Sequence, residues 1–331
     1  MALKVAINGT GRIGIIVAKI IAQRTDIELV ALNTTAKPDM LQYLLKFDSV
    51  HSGIDAKVVD ENTIAIGGKN VRMFRERDID NVDFGSTGAE VVIECTGVFL
   101  DEASARKHLK NGVKKVIMSS PAKDETATYV YGVNSDGYQG EAIVSNASCT
   151  TNCLGPICKV LDDAFGIECG LMTTIHSYTN DQNILDGKHA KDPRRARAAA
   201  LNMIPTSTGA AKAIAKVMPQ LSGKLNGYAM RVPTPDVSVV DLTVNLSRSV
   251  TKEEIHAAFN AASQGAFKGL IEVDNDKRVS CDFIGSTYSA TYVPDMTSVV
   301  NGNTVKVLAW YDNEWGYSSR LVDMTVLIGN H

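Results

Sequence analysis

The residues Ser145-Asn146-Ala147-Ser148-Cys149-Thr150-Thr151-Asn152-Cys153 set a thiol among small polar side chains, just before a helix-compatible run from Leu154 to Leu161. A cysteine at a helix N-terminus has its thiolate stabilised by the dipole and the free amides, which predicts a lowered pKa and nucleophilic chemistry at Cys149. The alternative, that a cysteine is a small buried hydrophobe, suits Cys95, Cys158, Cys169 and Cys281, which lie in apolar stretches or strands. Cys153 follows Cys149 by one helical repeat on the same face, where packing or helix support is its expected role. A nucleophilic thiol needs a base. Of six histidines, His176 ends the strand-like run Leu171 to Ile175, where a side chain projects from a sheet's end into a cleft. His51, His108, His189, His256 and His331 read as lying in loops or on charged helical faces. His176 is therefore the expected partner of Cys149.

A second constellation, Gly9-Thr10-Gly11-Arg12-Ile13-Gly14, has the Gly-x-Gly-x-x-Gly spacing between a strand and a helix. Such glycines allow a tight turn, close approach of backbone to a pyrophosphate, and close packing of helix on strand. The motif alone is weak; its place after the first strand strengthens it. Where a carboxylate for the adenosine ribose is expected, the chain has Asn33-Thr34-Thr35-Ala36-Lys37. A carboxylate would repel a 2′-phosphate and a threonine would not, so NADP is expected as well as NAD. The alternative is that Thr34 hydrogen-bonds the ribose of NAD.

The elements that must carry these residues follow from periodicity. Val5 to Ile7, Ile27 to Leu32, Val91 to Ile93 and Lys115 to Met118 read as strands. Ile13 to Arg24 and Ser104 to Asn111 read as helices, and Lys57 to Phe74 as hairpins. This βα alternation predicts an α/β, Rossmann-type dinucleotide-binding domain over 1–148. A helix from Cys149 to about Phe165 then leads into longer strands at Gly170 to Ile175, Gly227 to Val232, Val237 to Leu246 and Thr304 to Tyr311. With a helix near Lys252 to Ala262, they predict an α+β catalytic and oligomerisation domain over 149–314, on a mainly antiparallel sheet. The last helix, about 315–331, is expected to pack back on the first domain. At 331 residues two domains are the default.

Composition narrows the class. Lysine and arginine number 34 against 37 aspartates and glutamates, a net charge of −3 without long runs of one sign, which argues against nucleic acid or an anionic membrane as partner. No apolar stretch approaches a bilayer span. Six cysteines show neither a disulfide-scaffold density nor a zinc spacing, so no metal is expected. The start runs straight into a strand and leaves no room for a signal peptide, and reduced thiols fit a cytoplasmic protein.

Taken with Pro205-Thr206-Ser207-Thr208-Gly209-Ala210-Ala211-Lys212, Arg231-Val232-Pro233-Thr234-Pro235 and Trp310-Tyr311-Asp312-Asn313-Glu314-Trp315-Gly316-Tyr317, these motifs resemble glyceraldehyde-3-phosphate dehydrogenases over the whole chain. The resemblance implies attack of Cys149 on the aldehyde to give a thiohemiacetal, His176 as base during hydride transfer to NAD or NADP, and cleavage of the thioester by inorganic phosphate. It implies a substrate-phosphate site of Thr179, Asp181 and Arg231, with Thr150 beside the nucleophile. An inorganic-phosphate site would comprise Ser148, Thr208, Gly209 and Arg195. Without the resemblance, Arg194, Arg195 and Arg197 would read as a solvated charge run. Asn313 would hold the nicotinamide carboxamide, with Thr96 and Ser119 flanking the ring. The segment Ser177 to Leu201 would reach a neighbouring subunit's cofactor site in a homotetramer. Three positions depart from the family pattern: an aromatic residue is common where Thr10 stands, an aspartate where Thr34 stands, and a proline near Lys188, which with Lys37 could pair with a 2′-phosphate. Erythrose-4-phosphate dehydrogenase is a close rival, and a non-enzymatic dinucleotide-binding protein a rival of another class.

Overall fold

In the computed structural model, which describes residues 2–331, the chain divides into two compact units. Among the described residues, one comprises 2–148 with 318–331, the other Cys149–Tyr317.

The first unit is built on an eight-stranded sheet of order β3-β4-β5-β2-β1-β6-β7-β8. Its strands are β1 (Leu3–Asn8), β2 (Ile27–Asn33), β3 (Ala56–Asp60), β4 (Thr63–Ile66), β5 (Lys69–Phe74), β6 (Val91–Glu94), β7 (Lys115–Met118) and β8 (Ile143–Ser145). From β5 to β8 every neighbouring pair is parallel, and β3, β4 and β5 form antiparallel hairpins. β1 and β6 are nearly continuous hydrophobic runs, as strands covered on both faces require. Helix α1 (Arg12–Ala22) follows the glycine turn directly, and helix α2 (Pro38–Lys46) follows β2 with proline in its first turn. The helix expected over Ser104 to Asn111 is instead one α turn, α3 (Glu102–Ala105), capped by the Asp101 carboxylate, and a 3-10 turn over Arg106–His108. Asn111 and Gly112 have φ of 52° and 108°, left-handed values that end any helix there. The shortened turn buries His108, against the expectation of a solvated face, between the rings of Phe84 and Phe99.

The second unit opens with helix α4 (Cys149–Phe165), which packs on α5 (Ala210–Val217), α6 (Lys252–Gln264) and a second sheet. That sheet contains β9 (Ile167–Ser177), β10 (Ile204–Ser207), β11 (Leu225–Val232), β12 (Ser238–Leu246), β13 (Ile271–Val273), β14 (Ala290–Tyr292), β15 (Ser298–Val300) and β16 (Thr304–Tyr311). Its order is β10-β11-β9-β12-β16-β14-β13, with β15 on β16. Most pairs are antiparallel; β9–β11 and β13–β14 are parallel. Along β12 buried and half-exposed residues alternate, the pattern of a sheet covered on one face. Helix α6 starts with a full capping box between Thr251 and Glu254. It buries Phe259, whose ring stacks on Tyr292 of β14 at 4.0 Å between centroids. The closing helix, α7 (Trp315–Gly329), contributes its residues from Ser318 onward to the first unit.

Phe259→Ala removes the side chain that fixes α6 to this sheet and leaves a cavity, at a cost of about 3–5 kcal/mol. The expected result is a lower urea midpoint with the fold otherwise retained.

Candidate active site

The predicted residues fall into two sets, one in each unit. In the first unit the glycine turn lies at the carboxyl end of β1. Gly9 has φ of 99°, and a Cβ there would meet Thr96 at 2.8 Å. A Cβ on Gly14 would lie 1.9 Å from the Gly9 carbonyl oxygen, so only glycine lets α1 pack this closely. A Cβ on Gly11 would meet nothing within 4 Å. Open space thus faces the start of α1, where Arg12 and the half-buried Ile13 form the first turn. A helix cannot bond its own first-turn amides internally, so this space suits a pyrophosphate.

Behind the turn lies a buried polar network. The Glu94 carboxylate, fully buried, accepts from Asn8 Nδ2 at 2.6 Å, His108 Nε2 at 3.1 Å, and both the amide and hydroxyl of Thr96. Asn8 Oδ1 accepts from Asn33 Nδ2 at 2.9 Å, and Asn33 also exchanges two hydrogen bonds with the backbone of Glu76. A buried charge is tolerable only when its acceptor sites are filled this fully. Asn33, Thr96 and, through its amide bond to the Glu94 carbonyl, Ser119 are therefore held by one assembly. Thr34 is buried, its hydroxyl 2.5 Å from that of Thr10. Beside it Thr35, Lys37, Arg72, Arg75 and Glu76 line a cavity of about 490 Å³. Ser148 ends this unit, just after Ala147, whose φ of 56° is a left-handed strain in the turn leaving β8.

In the second unit Cys149 begins α4 and His176 lies near the end of β9, with Sγ 3.5 Å from Nε2. The Ser177 carbonyl accepts from His176 Nδ1 at 2.7 Å and from Arg231 Nη1 at 3.0 Å. With its proton on Nδ1, the ring turns an unprotonated Nε2 toward the thiol. Arg231 Nη1 lies 3.1 Å from Nδ1, and burial together with that cation lowers the His176 pKa from 6.5 to about 3. The imidazole is thus neutral at physiological pH. Burial pushes the Cys149 thiol above its ordinary value, a correction to the lowered pKa expected from its helix position. Arg231 and the bonds to Thr150 pull the other way without prevailing. The hydroxyl of Tyr311, a residue without a role in the sequence reading, bonds those of Thr150 at 2.9 Å and Thr174 at 2.8 Å, and its ring meets His176 edge-on. Its signal lay in the Trp310 to Tyr317 motif, of which only Asn313 received a role.

Of the residues expected to bind anions, Arg231 lies directly beside this pair. Arg231 Nη1 also reaches Thr179 Oγ1 at 3.4 Å. Arg195 donates to Asp181 at 2.7 Å, to Thr206 Oγ1 at 2.9 Å and to the Ser207 carbonyl at 3.3 Å. Asp181 and Arg195, assigned by resemblance to different phosphate sites, are thus bonded to each other, and His189 Nε2 stands 3.4 Å from the same carboxylate. Thr208 and Gly209 precede the first residue of α5, a helix start suited to an anion. Asn313 Oδ1 accepts from Ser177 Oγ at 2.8 Å and Ser238 Oγ at 2.7 Å, which turns its amide nitrogen elsewhere as a donor. Ser238 is a second residue missed in the sequence. Lys188 is exposed, with its carbonyl bonded by Asn183. Cys153 is fully buried, but Cys169 and Cys281 are exposed, contrary to the expectation that strand and apolar context would bury them.

A family model described as the glyceraldehyde 3-phosphate dehydrogenase NAD binding domain matches residues 3–102, and one described as the C-terminal domain of that enzyme matches 148–313. A glyceraldehyde-3-phosphate dehydrogenase of Geobacillus stearothermophilus is 53% identical over 100% of this chain and 99% of its own. Glyceraldehyde-3-phosphate dehydrogenase 1 of Bacillus subtilis strain 168 is 52% identical over 99% and 98%. Glyceraldehyde-3-phosphate dehydrogenase A of Escherichia coli K12 is 49% identical over 98% of each.

Because the folded His176 titrates near 3 and the unfolded one near 6.5, the unfolded chain binds a proton in that window that the folded chain refuses. Stability therefore falls as pH drops through the window, by up to about 1.4 kcal/mol per pH unit for one such group. Urea midpoints at pH 7 and pH 5 check this. The wild type should lose more stability than His176→Asn, and equal losses would mean that the ring is not held neutral.

Proposed function

The chain belongs to the glyceraldehyde-3-phosphate dehydrogenase family, and from that premise we propose how its own residues carry the reaction. It is an NAD-dependent oxidoreductase that converts an aldehyde to an acyl phosphate, with D-glyceraldehyde 3-phosphate as substrate and 1,3-bisphosphoglycerate as product. The observation that carries the proposal is the 3.5 Å approach of Cys149 Sγ to an unprotonated His176 Nε2. His176 takes the thiol proton as Cys149 attacks the aldehyde carbon and returns it to the carbonyl oxygen, forming a thiohemiacetal. It then takes the hydroxyl proton as that centre is oxidised to a thioester, and inorganic phosphate displaces the thiolate. The dinucleotide, when bound, supplies the hydride acceptor. In the first unit the open space at Gly11 and the glycine-only contacts of Gly9 and Gly14 fit it. In the second, Asn313 keeps its amide nitrogen as a donor, because its Oδ1 is taken by Ser177 and Ser238. Because His176 begins neutral, each proton uptake draws on a base with a vacant site, and Arg231 beside it favours return of the proton.

Arg231, Thr179 and Asp181 would take the substrate phosphate. Arg195, Thr208 and Gly209, with Ser148, would take inorganic phosphate, since a guanidinium and a helix start match phosphate oxygens. The pairing of Arg195 with Asp181 supports a guanidinium held ready by a carboxylate. We further propose that the enzyme accepts NADP beside NAD. The absence of a carboxylate at Thr34 and the cations Lys37, Arg72 and Arg75 around the adjoining cavity support this, and exposed Lys188 is a further candidate for the 2′-phosphate. A homotetramer is proposed on family membership. The partly uncovered sheet face supports it, for Leu171 of β9 is 68% and Tyr228 of β11 49% exposed. No helix among the described residues is long and apolar enough to cross a membrane.

Reduced-cofactor absorbance with glyceraldehyde 3-phosphate should rise only when inorganic phosphate is supplied, and Cys149→Ser should abolish the signal. Turnover with erythrose 4-phosphate alone would favour the rival substrate. Thr34→Asp should depress kcat/KM with NADP by at least about tenfold more than with NAD, since it places a like charge against the phosphate; equal effects would remove the case for NADP.

A further inference from the structure

Two of the positions that depart from the family pattern, Thr10 and Thr34, are bonded to each other: their hydroxyl oxygens lie 2.5 Å apart. The bond ties the glycine turn to the carboxyl end of β2, the place where a dinucleotide's adenosine ribose is read. Thr34 is only 2% exposed, and its Oγ1 also accepts from the Ala36 amide at 3.1 Å. Thr10 is half-exposed. From this contrast we propose that Thr10 is a specificity-determining residue: its hydroxyl meets the 2′ substituent of the cofactor, and Thr34 acts behind it. The proposal rests on the reading that NADP is accepted.

The chemistry follows from counting donors and acceptors. A hydroxyl has one proton and two acceptor sites. One acceptor site of Thr34 is taken by the Ala36 amide, and either threonine can donate to the other. When Thr34 donates, the proton of Thr10 is released outward, where an acceptor-only phosphate oxygen takes it. When Thr10 donates, it presents an acceptor outward, which suits a ribose hydroxyl. The pair reverses by rotating two hydroxyl protons and moves no heavy atom. A carboxylate in place of Thr34 could only accept, would hold the neighbouring groups in one sense, and would repel the phosphate. The adjoining cavity supplies the charge that the hydroxyls lack, with Lys37, Arg72 and Arg75 against the single carboxylate of Glu76.

The test is kcat/KM with NAD and with NADP in wild type, Thr10→Val, Thr10→Ser, Thr34→Val and the Thr10→Val/Thr34→Val double variant. Valine keeps the shape and removes the hydroxyl; serine restores it. The NADP-to-NAD ratio should fall about tenfold in Thr10→Val, a charge-assisted hydrogen bond's worth, and return toward wild type in Thr10→Ser. Thr34→Val should lower it less, and adding Thr34→Val to Thr10→Val should change nothing more, because Thr34 acts only through Thr10. A larger effect of Thr34→Val than of Thr10→Val, additivity in the double variant, or an unchanged ratio in Thr10→Val would overturn the proposal while NADP acceptance stood. A wild type that turns over NAD alone would instead sink the reading of NADP acceptance. In that case an unchanged KM for NAD in Thr10→Val would remove Thr10 from the ribose site as well, and a raised KM would retain it there.

Discussion

A single carbonyl oxygen, that of Ser177, governs the chemistry of the thiol unit. It takes the Nδ1 proton of His176 and a proton of Arg231 together, and so settles the tautomer of the ring and brings a permanent cation against it. From that arrangement follow the vacant Nε2 turned to Cys149 and the reach of Arg231 toward Thr179. The low basicity of the ring comes first from burial and then from the Arg231 cation, against a Ser177 bond that raises it. The parallel register of β9 with β11, which sets His176 opposite Arg231 and Ser177 opposite Val232, brings the three groups together. On the proposed assignment, catalysis and substrate-anion recognition share one guanidinium, and a substitution at position 231 would alter both.

The dinucleotide unit answers a different demand, a buried negative charge at the carboxyl edge of a parallel sheet. Glu94 is tolerable there because four donors converge on it, and three of them, from Asn8 and Thr96, with Asn33 bonded behind Asn8, lie where segments leave the sheet's carboxyl edge. Asn8 precedes the glycine turn, Thr96 follows β6, and Asn33 ends β2. The network makes three loop origins into one rigid rim, and His108 closes it from below with two aromatic rings against its imidazole.

The elements whose pattern is local were legible. The glycine turn with α1, the parallel strands, the long strands of the second sheet and helix α4, despite Pro156 within it, all follow from periodicity and turn chemistry. What was not legible depended on partners distant in sequence. Lys107 and Lys110 made His108 look solvated, but a 3-10 turn in place of a helix points the ring inward. Cys169 sits in a strand that one expects to be covered, yet it lies where a strand side chain faces outward. The pairing of Arg195 with Asp181, of Thr10 with Thr34, and of Asn313 with Ser177 and Ser238 joins residues between 14 and 136 positions apart, and no spacing rule anticipates such bonds. The thiol's depth was missed for the same reason. A helix N-terminus is a local feature, but desolvation depends on everything packed around it.

The last helix has a bearing on how the chain acquires its structure during synthesis. Leu3, in the first strand, packs on Gly329 near the end of the last helix, and Arg24 pairs with Asp323. The first unit is therefore incomplete until Gly329 has been added, after every residue of the second has been synthesised. The part made first finishes last. Its strands must wait, partly unshielded, through the translation of a whole intervening unit, which makes the nascent chain dependent on protection in proportion to elongation time.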